Sequence, residues 1–129
     1  MEGSQGNRIC GEIIKLDTTI IFASFGSFSG FEIAFAESPA MTVLVGRNPT
    51  LKQKYCSMVA AVVNSVKQSE VLFGKATTII ANFQKNLRMM VIPIYHQEIF
   101  VFLITNRESD SRALSFQVVK LLRKFEKSV

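Results

Sequence analysis

The chain contains two cysteines, one histidine and three prolines, and several signatures of chemistry are missing altogether. Cys10 and Cys56 stand far apart, with no CxxC pairing and no second group of metal ligands. Neither a disulfide framework nor a zinc site is therefore expected; buried or free thiols in a reducing compartment are, with the cytoplasm as the default location. No basic segment leads into an apolar run at the N-terminus, which argues against a signal peptide. No Asn is followed by a permitted residue and then Ser or Thr, so an N-linked glycan has no acceptor. Neither GxGxxG nor GxxxxGKS/T occurs, which removes two common phosphate cradles.

An unbroken apolar span is missing as well. Residues 89–105, MMVIPIYHQEIFVFLIT, are the most apolar stretch, whereas a spanning helix needs about 20 predominantly apolar residues in sequence. His96, Gln97 and Glu98 interrupt it, and Pro93 would cost a helix roughly 3 kcal/mol or more. Each half reads instead as a strand of ordinary length with both faces covered. Membrane insertion is not expected.

What remains is a chain of 129 residues, 48% hydrophobic and 19% charged, which suits one domain over residues 1–129. Only the polar start, residues 1–6, is expected to be flexible. A domain of this size buries roughly two-thirds of its unfolded surface and needs no metal or disulfide to hold a core. The net charge of +5 is uneven: residues 1–46 carry Arg8 and Lys15 against five acidic side chains, a net of −3, and the remainder carries +8. An acidic and a basic face would orient a partner. Nucleic acid is the weaker reading, because no dense Lys/Arg run occurs and the phenylalanines read as core rather than as stacking platforms.

Along the chain, Ile9, Ile13, Ile14 and Leu16 fall at helical spacing over residues 7–16, weakened by Gly11 by about 1 kcal/mol relative to Ala. TTIIFASF and GFEIAFA form a β-hairpin around GSFSG, with Gly26 and Gly30 read as turn residues that tolerate positive φ. The connection 37–48 has an apolar centre, Met41 to Val45, that must pack somewhere or form a short strand. Asn48 as cap and Pro49 in the first turn then open a long helix. Leu51, Tyr55, Met58, Val59, Val62 and Val66 make one stripe, and Cys56, Ala60 and Val63 extend it to a second flank of small residues. That width implies a helix buried on two sides, either by a second copy or by the 37–48 connection. KATTIIANF, LRMMVIPI and EIFVFLIT follow as a three-stranded meander, with turns at QKN and YHQ. Leu114, Val118, Leu121, Leu122 and Phe125 mark a last helix, capped by Ser109 or Asp110 and ending in basic residues that suit the helix dipole. The fold class is α+β: an α-β-β-α-β-β-β-α three-layer sandwich around a five-stranded antiparallel sheet.

This order, with IIFASFG leading into the hairpin, MVAAVVNSV in the central helix and MMVIPI then IFVFLIT in the meander, resembles the roadblock (dynein light-chain) family of the roadblock/longin-like superfamily. The resemblance covers roughly Asn7 to Lys127. It departs in the short, Gly-containing first helix and in the apolar 37–48 connection. It implies a non-enzymatic adaptor that dimerises by pairing central helices and joining third strands into one sheet. Family members scaffold or regulate small Ras-like GTPases. On this resemblance a homodimer interface comprises Cys56, Ala60, Val63 and Lys67 on the helix and Thr77, Ile79 and Ala81 on the strand, with a small GTPase or other protein as the further partner.

Residues with chemical potential have simpler readings. His96, in the expected turn beside Tyr95 and Glu98, reads as a solvated side chain rather than an acid or base. Cys56 with His96 would make a nucleophile pair only if the fold brought them together, and the helical position of Cys56 argues for packing. Asp17, Glu32 and Glu37 lack a spacing that predicts a metal site. Arg107 and Arg112 could serve as an arginine finger in a GTPase activator, but solvated or capping-region side chains are the simpler reading. No catalytic residue, metal or cofactor is expected. The alternative function class is a small-molecule sensor of profilin/PAS-like architecture, which needs an enclosed pocket of roughly several hundred cubic ångströms.

Overall fold

The computed structural model describes residues 2–41 and 49–127. The chain runs α1 (Gly3–Ile14), β1 (Ile20–Ser27), β2 (Glu32–Glu37), α2 (Pro49–Lys67), α3 (Glu70–Phe73), β3 (Ile79–Asn82), β4 (Leu87–Ile94), β5 (Ile99–Asn106) and α4 (Ser111–Lys127). The strands form one antiparallel sheet in the order β2-β1-β5-β4-β3. The mixed three-layer class expected from the sequence is the one observed. Asn48 and most of the apolar centre of the 37–48 connection lie outside the described residues. Met41, where that centre begins, is buried with the α2-side core.

Both faces of the sheet are covered, which is why its central strands are apolar throughout. On one face Ile99, Val101 and Leu103 of β5 and Met90 and Ile92 of β4 pack against Ile9 and Ile13 of α1 and Leu114 and Val118 of α4. On the other, Phe22, Phe100, Phe102 and Val91 pack against α2. The period-two alternation of β4 and β5 divides their apolar residues between these two cores.

Local chemistry sets the boundaries. α1 starts at Gly3 and buries Gly6, so the residues expected to be flexible are largely helical. Asp17 accepts the Thr19 N–H at 2.8 Å in the turn before β1, and this hydrogen bond lowers its pKa below the ordinary carboxylate value. Of the two expected turn glycines, Gly30 has φ +100°, whereas Gly26 lies within β1 outside the positive-φ region. Gly26 is small for a different reason: an added Cβ would lie 2.7 Å from Phe100 Cε2 and 2.8 Å from Cys56 Sγ. Pro93 falls beyond the last β3 partner of β4, Val91, so its missing donor leaves no gap in that ladder. Asp110 caps α4 by accepting the Ala113 N–H at 3.1 Å. The other candidate cap, Ser109, is buried; its hydroxyl lies 3.0 Å from Thr105 Oγ1, and its carbonyl accepts from Arg88 Nη1 at 2.6 Å.

Candidate protein-binding surface

The two sheet edges differ. At the β2 edge, the Phe35 N–H donates to Asn7 Oδ1 at 3.0 Å, so α1 closes part of it. At the other edge β3 pairs with β4 alone, and among the described residues its outer side makes no hydrogen bond within the chain. An open edge of this kind is a ready template for another strand.

Above that edge lies α2, whose sides are chemically distinct. Its sheet-facing stripe is Cys56, Val59, Ala60 and Val63, at helical spacing, with exposures of 0%, 0%, 4% and 1%. Toward the β1–β2 hairpin the flank is polar: Gln53 Nε2 donates to the Gly30 carbonyl and Asn64 Nδ2 to that of Phe28, both at 2.9 Å. Toward β3 the flank is apolar, with Tyr55 and Met58 exposed and Val62 and Val66 half-buried. Both flanks expected from the sequence are apolar, and the small-residue one faces the sheet. Cys56, Ala60 and Val63 are buried in this chain's own core. Of the first stripe, Val59 joins them against the sheet, whereas Tyr55, Met58, Val62 and Val66 lie along the outward flank. The cause is volume: the sheet already presents Phe22, Phe100 and Phe102, so only a small-residue stripe lets the helix approach.

The other expected interface residues lie along this margin. Lys67 is half-buried at the end of α2, its Nζ 5.0 Å from the Phe28 ring centroid. Thr77 is exposed ahead of β3, and Ile79 and Ala81 turn to the α2-side core. Ile80 on the opposite face of β3, and Phe83 just past it, are exposed.

Two features went unnoticed in the sequence. At the Tyr55 end of α2, an apolar cleft of about 350 Å³, open on one side, lies between Tyr55, Met58, Phe83, Leu87, Met89 and Phe102. At the opposite end, α3 presents Val71, Leu72 and Phe73 at 95%, 79% and 83% exposure. A four-residue helix is too short to show periodicity; the only signal was an apolar triplet in a connection.

Residues with chemical potential are dispersed. His96 is exposed in a 3₁₀ turn over Tyr95–Gln97, with its Nε2 3.2 Å from Gln97 Nε2. Arg107 and Arg112 are exposed beyond β5 and at the start of α4. Glu32 Oε2 accepts from Ser24 Oγ at 3.4 Å. Among the described residues no group of three or more His, Cys, Asp or Glu could hold a metal ion. Both thiols are free and buried, Cys10 on the α1 side of the sheet and Cys56 on the α2 side. Burial, and then the Glu32 carboxylate, push Cys56 up to about 11. Burial chiefly pushes Cys10 up to about 12, with a Phe25 backbone hydrogen bond opposing. Both thiols are held protonated and are poor nucleophiles. At about pH 8, iodoacetamide should leave the native protein unlabelled and modify both cysteines in denaturant, as read by intact mass. Rapid native labelling of either would contradict the packing described.

These elements define a roadblock/profilin-like fold: a five-stranded antiparallel sheet with α1 and α4 on one face and α2 on the other. Solved structures share it. A Roadblock/LC7 domain from Streptomyces avermitilis superposes with a TM-score of 0.76 at 10% identity, covering 95% of each chain. Myxococcus xanthus MglB gives 0.74 at 14% identity over 100% of both chains. The gliding protein MglB of Thermus thermophilus gives 0.72 at 11% identity, covering 98% of this chain and 91% of that one. No protein-family model and no curated protein matches the chain. At such identities the likeness is one of fold. Among the described residues, no helix is long and apolar enough to cross a membrane.

Proposed function

We propose that the chain is a single roadblock-like domain acting in the cytoplasm as a non-enzymatic, homodimeric adaptor. Its further partner is a small Ras-like GTPase, which it regulates or localises. The observation that carries the dimer is the open β3 edge beneath the apolar Tyr55–Met58–Val62–Val66 flank of α2. Pairing β3 with its two-fold mate satisfies the edge and brings the two flanks together, as an isologous interface requires. Thr77, Ile79 and Ala81 then contribute main chain to the joined strands, while Cys56, Ala60 and Val63 support α2 from beneath. The GTPase rests on the resemblance to roadblock proteins, and the two protonated thiols support a binding role over a nucleophilic one.

The test is solution mass by light scattering over a concentration series, followed by calorimetric titration with a Ras-like GTPase from the same genome, loaded with GDP or a GTP analogue. A dimer that binds one nucleotide state preferentially is expected. A monomer at every concentration would overturn the dimer, and no heat with either nucleotide state would overturn the GTPase.

A further inference from the structure

Val71, Leu72 and Phe73 form an apolar projection, and the cleft between Tyr55, Met58 and Phe83 is an apolar recess; among the described residues the first has no cover and the second no occupant. They lie at opposite ends of the α2–β3 margin. The cleft joins the N-terminal half of α2 to the end of β3, through Tyr55, Met58 and Phe83. The projection follows the C-terminal end of α2, level with the approach to β3. There the Tyr95 hydroxyl donates to the Ala76 carbonyl at 2.8 Å, and Phe28, beneath Lys67, meets the Tyr95 ring edge-on. The two elements thus run antiparallel, and projection and recess cannot meet within one copy.

A two-fold axis through the middle of β3 exchanges these ends. The start of one β3 comes opposite the end of the other, and each projection is carried toward the other copy's recess. Charge fits the same arrangement. Glu70 immediately precedes the projection and Lys85 lines the recess; among the described residues neither makes an ion pair within the chain. Opposite charges at the rim of an apolar contact fix register more than they add affinity.

Resting on the dimer reading above, we propose that Val71, Leu72 and Phe73 of one copy seat in the Tyr55–Met58–Phe83 cleft of a second copy, and reciprocally. The occupant of the cleft is then a second copy of this chain rather than a small molecule. Each dimer contains the contact twice, so a change in the projection counts twice in the dissociation constant.

The experiment uses the full chain. Leu72→Cys with Phe83→Cys, under mild oxidation by copper phenanthroline, is expected to give a covalent dimer on a non-reducing gel. The two native cysteines are buried, and each single substitution alone gives the background. Leu72→Ser with Phe73→Ser, at sites already exposed, leaves the fold intact by circular dichroism and weakens the dimer by at least about a hundredfold in light scattering, since two apolar contacts are lost at each of two sites. If the wild type is a dimer but the cysteine pair does not cross-link and the serine variant dissociates like wild type, the docking is overturned and the dimer stands. If the wild type is a monomer, the docking falls together with the dimer.

Discussion

Gly26→Ala is expected to destabilise the protein by about 2 kcal/mol, even though alanine suits a strand better than glycine. At a position whose backbone any residue can adopt, replacing glycine by alanine gains about 0.4–1 kcal/mol by restricting the unfolded chain. Gly26 has such a backbone, since the positive-φ glycines among the described residues are Gly30 and Gly74. Against that gain stands the Cβ, 2.7 Å from Phe100 Cε2, closer still to Cζ, and 2.8 Å from Cys56 Sγ. The ring cannot swing aside: Phe100 is fully buried, and its neighbour Phe102 lies 6.3 Å away between centroids. Extra volume in a filled core costs about 1–3 kcal/mol, so the clash outweighs the entropic gain. A double-mutant cycle in urea isolates the cause. Phe100→Leu removes the two clashing ring atoms and leaves Cys56 Sγ, so Gly26→Ala in that background should cost at least about 1 kcal/mol less than in the wild type. Strict additivity would mean that Gly26 is required by its backbone, as its place at the start of GSFSG first suggests, or by Cys56 rather than Phe100.

Gly26 also shows where sequence reading stops. A glycine near a turn and a glycine beneath a phenylalanine look alike along the chain, because the close approach of β1 to Phe100 and Cys56 is tertiary. The strands were legible for the opposite reason. LRMMVIPI coincides with β4 because its alternate residues feed two cores, and Pro93 is tolerated where β4 has run past its β3 partner and pairs with β5 alone. The element order and the three layers followed from the same kind of local consistency. On α2 the apolar arc was evident, but periodicity places residues on a common face without saying what that face touches. Tyr55, Met58, Val62 and Val66 and the stripe Cys56, Val59, Ala60 and Val63 are equally helical in spacing. Which one meets the sheet depends on the bulk of Phe22, Phe100 and Phe102, contributed by strands on either side of α2 in sequence. The exposed triplet in α3 was missed because one helical turn carries no period.

The burial of Ala60 against the sheet has a large consequence. Ala60→Glu is expected to lose about 3–5 kcal/mol, enough to unfold a domain whose total stability is about 5–15 kcal/mol, rather than to release a folded monomer. Ala60 is 4% exposed in the core that holds Phe22, Val59 and Phe102, which offers a carboxylate no counter-charge. Ala61, the next residue, is exposed, and Ala61→Glu should change monomer stability by no more than about 0.5 kcal/mol. The pH dependence gives a second signature. Burial raises the introduced carboxyl above its unfolded pKa of about 4.3, so the folded state holds the proton more tightly. The Ala60→Glu variant should therefore lose stability, relative to wild type, as pH rises from about 4.3 through the raised folded value, and regain it as pH falls. Urea titrations followed by circular dichroism at several pH values, alongside light scattering of both variants, measure this. A folded, monomeric Ala60→Glu protein with a wild-type urea midpoint would turn Ala60 outward, and would restore Cys56, Ala60 and Val63 as the surface that meets a second copy.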